Sequence, residues 1–203
     1  MVTVGLCGGS GSGKGTLCAI FGEMGIPSFD CDAVYHGMIS SDSEVTQELA
    51  EVFGSEILSP IGGVDRRRLA AIVFSPERRD ALKTLNEITH RHVKSACFSW
   101  LDEMRKAGCA AVIVDAPLLF ESGFDSFCDM TVALTASRET RIARITARDG
   151  IGREAAEKRI DAQIGDAELA RLSDTVIENN GGKAELRLSA EALLNKILKE
   201  KKP

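Results

Sequence analysis

The sequence has no apolar run long enough to cross a bilayer, and it does not begin with the basic and apolar regions of a secretory signal. The first absence argues against a membrane-spanning helix, and the second argues against export. Hydrophobic residues make up 44% of the 203 residues, enough for one well-buried core with a small inserted subdomain. We therefore expect a globular cytoplasmic protein without membrane attachment.

Positive charge is in short supply. The chain has 25 lysines and arginines against 30 aspartates and glutamates, which gives a formal net charge of −5. Proteins that bind nucleic acid usually present a basic face, so we expect no nucleic-acid partner. A short basic run, Asp65-Arg66-Arg67-Arg68, is either a solvated helix face or a site for a small anionic ligand.

The cysteines lack the spacing of a metal site. None of the six belongs to a C-x-x-C pair, and zinc sites need such local clusters. In a cytoplasmic protein we expect reduced and mostly buried thiols. Cys31 lies between Asp30 and Asp32, where neighbouring carboxylates make a thiol less reactive, so we interpret it as a packing residue.

What the sequence does contain is a glycine-rich turn between a strand and a helix. The turn reads Gly8-Gly9-Ser10-Gly11-Ser12-Gly13-Lys14-Gly15-Thr16, after the apolar stretch 2–7 and before apolar residues at helical spacing. Glycines let the backbone curl around an anion with its N–H groups inward, and Lys14 supplies an ammonium for the β- and γ-phosphates. A plain Gly/Ser-rich turn would explain the glycines but not the lysine, the strand or the helix. The pattern therefore predicts a phosphate-binding loop.

Gly15 departs from the usual form of this motif. The loop fits G-x-x-x-x-G-K-[ST] up to Lys14, but Gly15 fills the position whose hydroxyl normally binds Mg²⁺, and Thr16 follows it. The ending Gly-Lys-Gly-Thr is similar to that of adenylate kinases. We expect Mg²⁺ to be held largely through water, or by a carboxylate elsewhere in the chain.

Two aspartates end the next predicted strand, 28–32. Residues i and i+2 of a strand share a face, so Asp30 and Asp32 would point the same way at its carboxyl end. Ligands bind at that edge of open α/β sheets. In the alternative, Asp32 caps a helix that begins near Ala33; capping and catalysis are compatible.

The stretch 41–108 contains no convincing strand. Apolar residues at helical spacing predict several helices, the longest of them carrying a stripe from Leu82 to Met104. This is too much chain for a simple crossover between parallel strands, so we interpret it as an inserted helical region that closes over the acceptor substrate. His90 lies on the long helix, either as a surface or capping group or as a substrate contact.

An apolar strand at 110–115 ends in Asp115. Near-continuous apolar character is typical of a central parallel strand, and the terminal carboxylate matches the second acidic motif of phosphate-loop proteins, which reaches Mg²⁺. The turn Leu118-Leu119-Phe120 either packs on the sheet or holds part of a ligand.

A later segment is rich in arginine. Arg141, Arg144 and Arg148 recur along one side of the predicted helix 137–149, and a glycine-containing break precedes a second helix through Gln163. A solvent-exposed helix face would be enough to explain two arginines at this spacing. Arginines at the tip of a helix–turn–helix are typical of a mobile lid that closes on the phosphates of a nucleotide.

The alternation of strands and helices predicts the fold class. It is an α/β fold of the P-loop NTPase type, with a five-stranded parallel sheet between helices, an inserted helical substrate domain and a helical lid. Within a single domain 1–203, the predicted nucleotide-binding core is 1–32, 109–136 and 173–203, the acceptor region is 33–108 and the lid is 137–172.

The chain resembles one family, the dephospho-CoA kinases, over nearly its whole length. The phosphate loop is shared by many families, whereas Ile88-Thr89-His90 and Pro117-Leu118-Leu119-Phe120-Glu121, in this order, are far more specific. The other matching stretches are 30–32, 64–69, 85–87, 115–116, Arg144, 148–149, Gln163 and 174–181.

The resemblance implies a reaction in which ATP phosphorylates the ribose 3′-hydroxyl of dephospho-CoA, the last step of coenzyme A synthesis. It also implies that Asp32 meets the acceptor hydroxyl, and that ATP and Mg²⁺ are the cofactors. Together with the motifs, it defines a candidate site. Its members are Asp32, Lys14, Arg144 and Arg148 as catalytic residues; Gly11, Ser12, Gly13, Lys14, Gly15, Thr16 and Asn179 as nucleotide-binding residues; Asp32, His90, Leu118, Phe120 and Gln163 as substrate-binding residues; and Asp30, Asp115 and Thr16 as metal ligands.

Three positions depart from the family's pattern. Gly15 replaces the usual serine. Arg91 follows His90 where proline is usual, so we expect the long helix to continue unbroken there. Leu169 stands where a basic residue is common, so one phosphate contact is either lost or supplied by Arg171.

Two other functions remain as alternatives. One is another kinase of nucleosides or nucleotides, and the other is a non-catalytic nucleotide switch, although the Asn-Lys-x-Asp guanine motif of GTPases is absent. We expect a small-molecule partner, dephospho-CoA, and a monomer or weak homo-oligomer.

Overall fold

The structure is a computed structural model that describes residues 1–199. Residues 200–203, the end of the predicted nucleotide-binding core, lie outside the described residues. The strands are β1 (Val2–Cys7), β2 (Ser28–Asp30), β3 (Ala111–Asp115), β4 (Met130–Thr135) and β5 (Thr175–Glu178). The helices are α1 (Lys14–Glu23), α2 (Cys31–Ile39), α3 (Glu44–Phe53), α4 (Arg66–Val73), α5 (Ala81–Lys106), α6 (Arg138–Asp149), α7 (Arg153–Asp161), α8 (Asp166–Leu172) and α9 (Lys183–Lys199).

The strands form one sheet in the order β2-β3-β1-β4-β5. β1 pairs in parallel with both β3 and β4, and β4 pairs in parallel with β5. Leu6 near the end of β1 pairs with Asp115 at the end of β3, so the loop after β1 and this carboxylate share the carboxyl edge of the sheet. The predicted five-stranded parallel sheet flanked by helices is confirmed.

The core of the sheet is apolar. β3 is buried along its whole length, as expected for a central parallel strand with helices on both faces. α1 and α9 pack their apolar stripes against the strands, which holds the start of α1 directly behind the loop. The helical contributions to this core include Leu17, Ile20, Phe21, Leu186, Ala190, Leu193 and Ile197.

The chain divides into two compact units. One consists of Met1–Phe29 and the chain from Glu103 onward, and the other is Asp30–Asp102. The second unit is helical and has its own core, built on residues such as Leu49, Phe53 and Ile57. Between residues 41 and 108 the structure has one isolated bridge and no strand, which confirms the helical character predicted for this stretch.

α5 runs unbroken through Arg91, as expected from the absence of proline there. Within residues 1–199, no helix combines the length and the apolar character that crossing a membrane requires.

Candidate active site

The loop between β1 and α1 has the backbone of an anion-binding turn. Gly11 and Gly13 have φ angles of 80° and 102°, in the left-handed region that side chains disfavour. Gly13 also stands at the N-cap of α1, where a Cβ would overlap the side-chain amide of Asn179. The turn therefore depends on glycine both for its curvature and for room.

Lys14 and Asp115 meet at the edge of the sheet. Lys14 is the first residue of α1, and its Nζ lies 3.7 Å from Asp115 Oδ1, with both side chains largely buried. Cys18, one turn further along α1, donates its thiol to Asp115 Oδ2 at 3.7 Å. The ammonium, the carboxylate and the helix N-terminus thus lie together beside the loop.

Arg144 and Asn179 brace the loop from the other side. Asn179, which is buried, donates Nδ2 to the Ser12 carbonyl at 2.7 Å. Arg144 donates Nη1 to the carbonyls of Gly11 and Ser12 at 3.3 and 3.2 Å, and Nη2 to the Gly181 carbonyl at 3.2 Å. Both predicted site residues therefore reach the loop, and in this conformation they contact its backbone.

Gln163 also contacts the loop. Its Oε1 accepts a hydrogen bond from the Ser10 backbone N–H at 2.8 Å. Gln163 and Leu118 line a small cavity of about 100 Å³ together with Gly8 and Gly9. The same cavity is lined by Leu169, which is buried, so the family's basic position is here part of an apolar wall.

Two further side chains that the sequence singled out, Phe120 and Arg171, differ in their surroundings. Phe120 is half-buried after Leu119, which is fully buried in the turn that follows β3. Arg171, the suggested substitute for a basic residue at 169, donates to Glu168 at the exposed surface. Its phosphate contact therefore stays a prediction.

Arg148 is paired with its own neighbour, Asp149. Its Nε and Nη2 donate to the two carboxylate oxygens of Asp149 at 2.7 and 2.9 Å, and Arg159 contacts the same carboxylate. The hydrogen bond from Arg148 is the main reason that the pKa of Asp149 falls to about 2. The same bond raises the pKa of Arg148, so both groups are charged at neutral pH.

The position of Asp32 corrects one prediction. β2 ends at Asp30 and α2 begins at Cys31, so Asp32 lies in the first turn of a helix and not on the strand. Asp30 and Asp32 therefore do not share a strand face, and this prediction is wrong. The cause is local: Asp30, and not Asp32, caps α2, because its Oδ1 accepts the Ala33 N–H at 2.8 Å and ends the strand.

His90 lies half-buried on α5, in an open groove that Lys94 and Phe98 also line. The next residues, Arg91 and His92, both contact the carboxylate of Glu48. The hydrogen bond from Arg91 contributes most to lowering the pKa of Glu48, and His92 adds to it. The structure thus places His90 on a partly basic helix face, and its substrate contact stays a prediction.

The donor atoms near the loop suit a hard cation. Within residues 1–199 there is no cluster of three or more His, Cys, Asp or Glu that could hold a metal. Mg²⁺, however, commonly uses one or two carboxylates, water and the phosphates of its nucleotide, so Asp115 and an exposed Thr16 hydroxyl fit it. A side chain added at Gly15 would meet open space. The hydroxyl is therefore absent because the residue is glycine, and not because the loop lacks space for a side chain.

Sequence reasoning missed Arg141. It belongs to the row of lid arginines but is only 4% exposed, and its Nε donates to the Ser10 carbonyl at 2.9 Å. A signal was present, because Arg141 lies four residues before the buried Ile145 and so shares its side of α6. Its partners lie far away in the sequence, so helical periodicity could not identify them.

Sequence comparisons with known proteins point to one family. The family model for dephospho-CoA kinase matches residues 2–185. The dephospho-CoA kinase of Geobacillus kaustophilus is 35% identical over 95% of this chain and 95% of its own, and that of Fusobacterium nucleatum is 36% identical over 97% and 99%.

Solved structures share the fold. A crystal structure of a Thermus thermophilus protein covers 96% of this chain and 97% of its own, with 30% identity and a TM-score of 0.81. Shikimate kinase from Acinetobacter baumannii, at 17% identity, has a TM-score of 0.57 over 100% of this chain and 96% of its own, and shows only a similar fold. From the family match and the identity to its relatives, the chain belongs to the dephospho-CoA kinase family.

Proposed function

We propose that this protein transfers the γ-phosphoryl group of ATP to the ribose 3′-hydroxyl of dephospho-CoA, giving coenzyme A and ADP. Membership of the dephospho-CoA kinase family supports the reaction. The observation that carries the mechanism is the phosphate loop, in which Lys14 stands beside Asp115 at the carboxyl edge of the sheet. An ammonium and inward N–H groups at this place suit the phosphates of a nucleotide.

At the donor end, the backbone N–H groups of Gly11–Thr16 and the Lys14 ammonium hold the phosphates of ATP. Arg144 already reaches the loop and adds positive charge near the group in transfer. Arg148 joins it when it exchanges the Asp149 carboxylate for a phosphate oxygen. Asn179 supports this end through Ser12.

Asp115 and Thr16 are the residues of this end that would hold Mg²⁺, with Asp30 as a third candidate. The ion would neutralise charge on the phosphates, as it does in other phosphate-loop enzymes.

At the acceptor end, Asp32 accepts the proton of the 3′-hydroxyl as the oxygen attacks phosphorus. Its carboxylate is exposed, and the helix cap is made by Asp30, so capping does not occupy Asp32. The proton passes from Asp32 to solvent after transfer, and the bond between the γ-phosphorus and the bridging oxygen of ADP breaks.

The rest of the acceptor is long and needs a larger surface. Arg66 and Arg67 are exposed at the start of α4 and suit the diphosphate of dephospho-CoA, with His90 as a further donor. Leu118, Phe120 and Gln163 are proposed as substrate contacts as well. In this proposal the molecule works as a nucleotide core, an acceptor region and a lid, with the boundaries predicted from the sequence.

A panel of acceptors tests the function. With ATP as donor and each acceptor below saturation, dephospho-CoA should be phosphorylated with far higher kcat/KM than adenosine or AMP, because both lack the pantetheine arm whose binding helps to hold the hydroxyl in line. Equal or better turnover of AMP or of a pyrimidine nucleoside would reject this acceptor while keeping the kinase activity.

The cellular location and the oligomeric state of the protein stay predictions. We expect a cytoplasmic protein that is a monomer or a weak homo-oligomer. Cell fractionation and sedimentation over a range of concentrations would test each directly.

A further inference from the structure

Arg141 is a charged residue buried against the phosphate loop. Each of its guanidinium nitrogens donates to a protein acceptor: Nε to the Ser10 carbonyl at 2.9 Å, Nη1 to Asp166 Oδ1 at 2.9 Å, and Nη2 to Gln163 Oε1 at 3.2 Å. Gln163 Oε1 also accepts from the Ser10 N–H at 2.8 Å. Both backbone polar groups of Ser10 are therefore held, one by Arg141 and one by Gln163.

The loop leaves room for this guanidinium. A Cβ at Gly9 would overlap Arg141 Nη2, and a Cβ at Gly11 would lie 2.7 Å from the Arg141 carbonyl oxygen. Real Cβ atoms do not approach other atoms so closely, so an alanine at either position would push the loop and α6 apart. Because Gly9 and Gly11 have no side chains, Arg141 can pack directly against the loop.

Arg141 does not have the surroundings of a phosphate ligand. The residue is 4% exposed, and its charge is balanced by Asp166. A buried charge is tolerated when it is paired and fully hydrogen-bonded, which is the condition seen here. Any effect of Arg141 on phosphoryl transfer must therefore pass through the backbone that it holds.

We propose that Arg141, together with Gln163, is a positioning residue that fixes the phosphate loop at Ser10 in its nucleotide-binding conformation. The inference rests on the proposed function, because it requires that the loop binds ATP. When the backbone N–H groups of the loop are already oriented, phosphate binding does not have to include the loss of conformational entropy that ordering the loop would require. Loss of this brace weakens ATP binding and leaves the acceptor's binding unchanged.

The test compares Arg141→Gln with Arg138→Gln. Arg138 lies one turn earlier on α6, and its guanidinium pairs with Asp161 at the exposed surface, so it controls for the loss of a helix arginine. Steady-state kinetics with both substrates and equilibrium titration with ATP give the two KM values and the Kd for ATP. Arg141→Gln should raise KM and Kd for ATP about tenfold or more, the loss expected for one charge-assisted hydrogen bond. KM for dephospho-CoA should stay constant, Arg138→Gln should resemble the wild type, and Arg141→Lys should recover part of the affinity by donating to Ser10.

A second variant keeps the test decisive if Arg141→Gln does not fold, since it leaves the Arg141–Asp166 pair in the chain. Gly9→Ala should weaken ATP binding, and in a folded Arg141→Gln background it should add little, because it disturbs the same contact. Unchanged ATP affinity in Gly9→Ala, or equal loss of affinity for both substrates, would overturn the positioning role. A wild-type protein that neither binds nor uses ATP would instead overturn the proposed function.

Discussion

We call the side chains of Asp32, Arg66, Arg67 and His90 in the helical unit the acceptor face. The phosphate loop and the acceptor face differ in how firmly other side chains hold them. Side chains from distant parts of the chain hydrogen-bond the loop's backbone and hold it. On the acceptor face, Asp32, Arg66 and Arg67 are exposed. If the proposed function is correct, the donor site is ordered before a ligand arrives, whereas the binding of the acceptor must order the side chains that contact it. The loop-bracing side chains are Arg141, Arg144, Gln163 and Asn179.

The strongest test of the loop removes its charge. Lys14→Ala should lower turnover about 10³-fold or more, because the ammonium stabilises charge that develops on the transferring phosphoryl group. The variant should remain folded, because Lys14 is not part of the apolar core, but its melting temperature should fall because the buried Asp115 loses its ion-pair partner. Lys158→Ala, which removes a highly exposed lysine paired with Glu154, is the control. Near-normal turnover of Lys14→Ala would reject the phosphate-loop assignment.

The corresponding change on the acceptor face is Asp32→Asn. It should lower kcat about 10²- to 10⁴-fold, the usual contribution of a general base, and leave the Kd for ATP nearly unchanged. Asp30→Asn is the informative partner, because asparagine caps a helix as well as aspartate does and so removes only the charge. If Asp30→Asn abolished acceptor chemistry while Asp32→Asn were nearly silent, the two roles would be reversed.

A smaller effect is expected from restoring the missing hydroxyl of the loop. Gly15→Ser should lower the Mg²⁺ concentration needed for half-maximal rate by a few-fold, because a side chain fits there without a clash and can bind the ion. The Mg²⁺ dependence of ATP binding, followed by titration without acceptor, should shift in the same direction. Gly22→Ser, on the same helix and equally unobstructed, should change neither. An unchanged requirement in Gly15→Ser would indicate that Thr16 already supplies the ligand.

The smallest effect concerns the predicted lid and depends on pH. The pKa of Asp149 is lowered to about 2 in the folded protein, chiefly by the Arg148 hydrogen bond, from an ordinary value of 3.8. A lowered pKa means that the carboxylate stabilises the fold above its unfolded pKa and loses this contribution as pH falls towards the folded value. Wild type should therefore melt slightly higher than Asp149→Asn at pH 5–7, and the gap should narrow between about pH 4 and pH 2. A gap that is independent of pH would show that the pair with Arg148 does not stabilise the lid.

The comparison also separates what the sequence could and could not predict. The strand 2–7, the loop and the buried strand ending in Asp115 follow from local apolar pattern and glycine spacing, and the structure has them. The sequence does not decide the position of Asp32, because a D-x-D pattern fits either a strand end or a helix start, and only the Asp30 cap distinguishes the two. The brace by Arg141 depends on contacts with residues far away in the chain, which no local pattern can show.

The pairing of Leu6 with Asp115 fixes the position of this carboxylate relative to the end of β1. Side chains alternate between the faces of a strand, so a slip of β3 by one residue would turn the carboxylate to the opposite face and bring Ala116 into its place. The packing of the buried Val112 and Val114 side chains therefore fixes the position of the Asp115 carboxylate at the edge of the sheet. A substitution that shifted the register of this strand would therefore separate Asp115 from Lys14 without altering either residue.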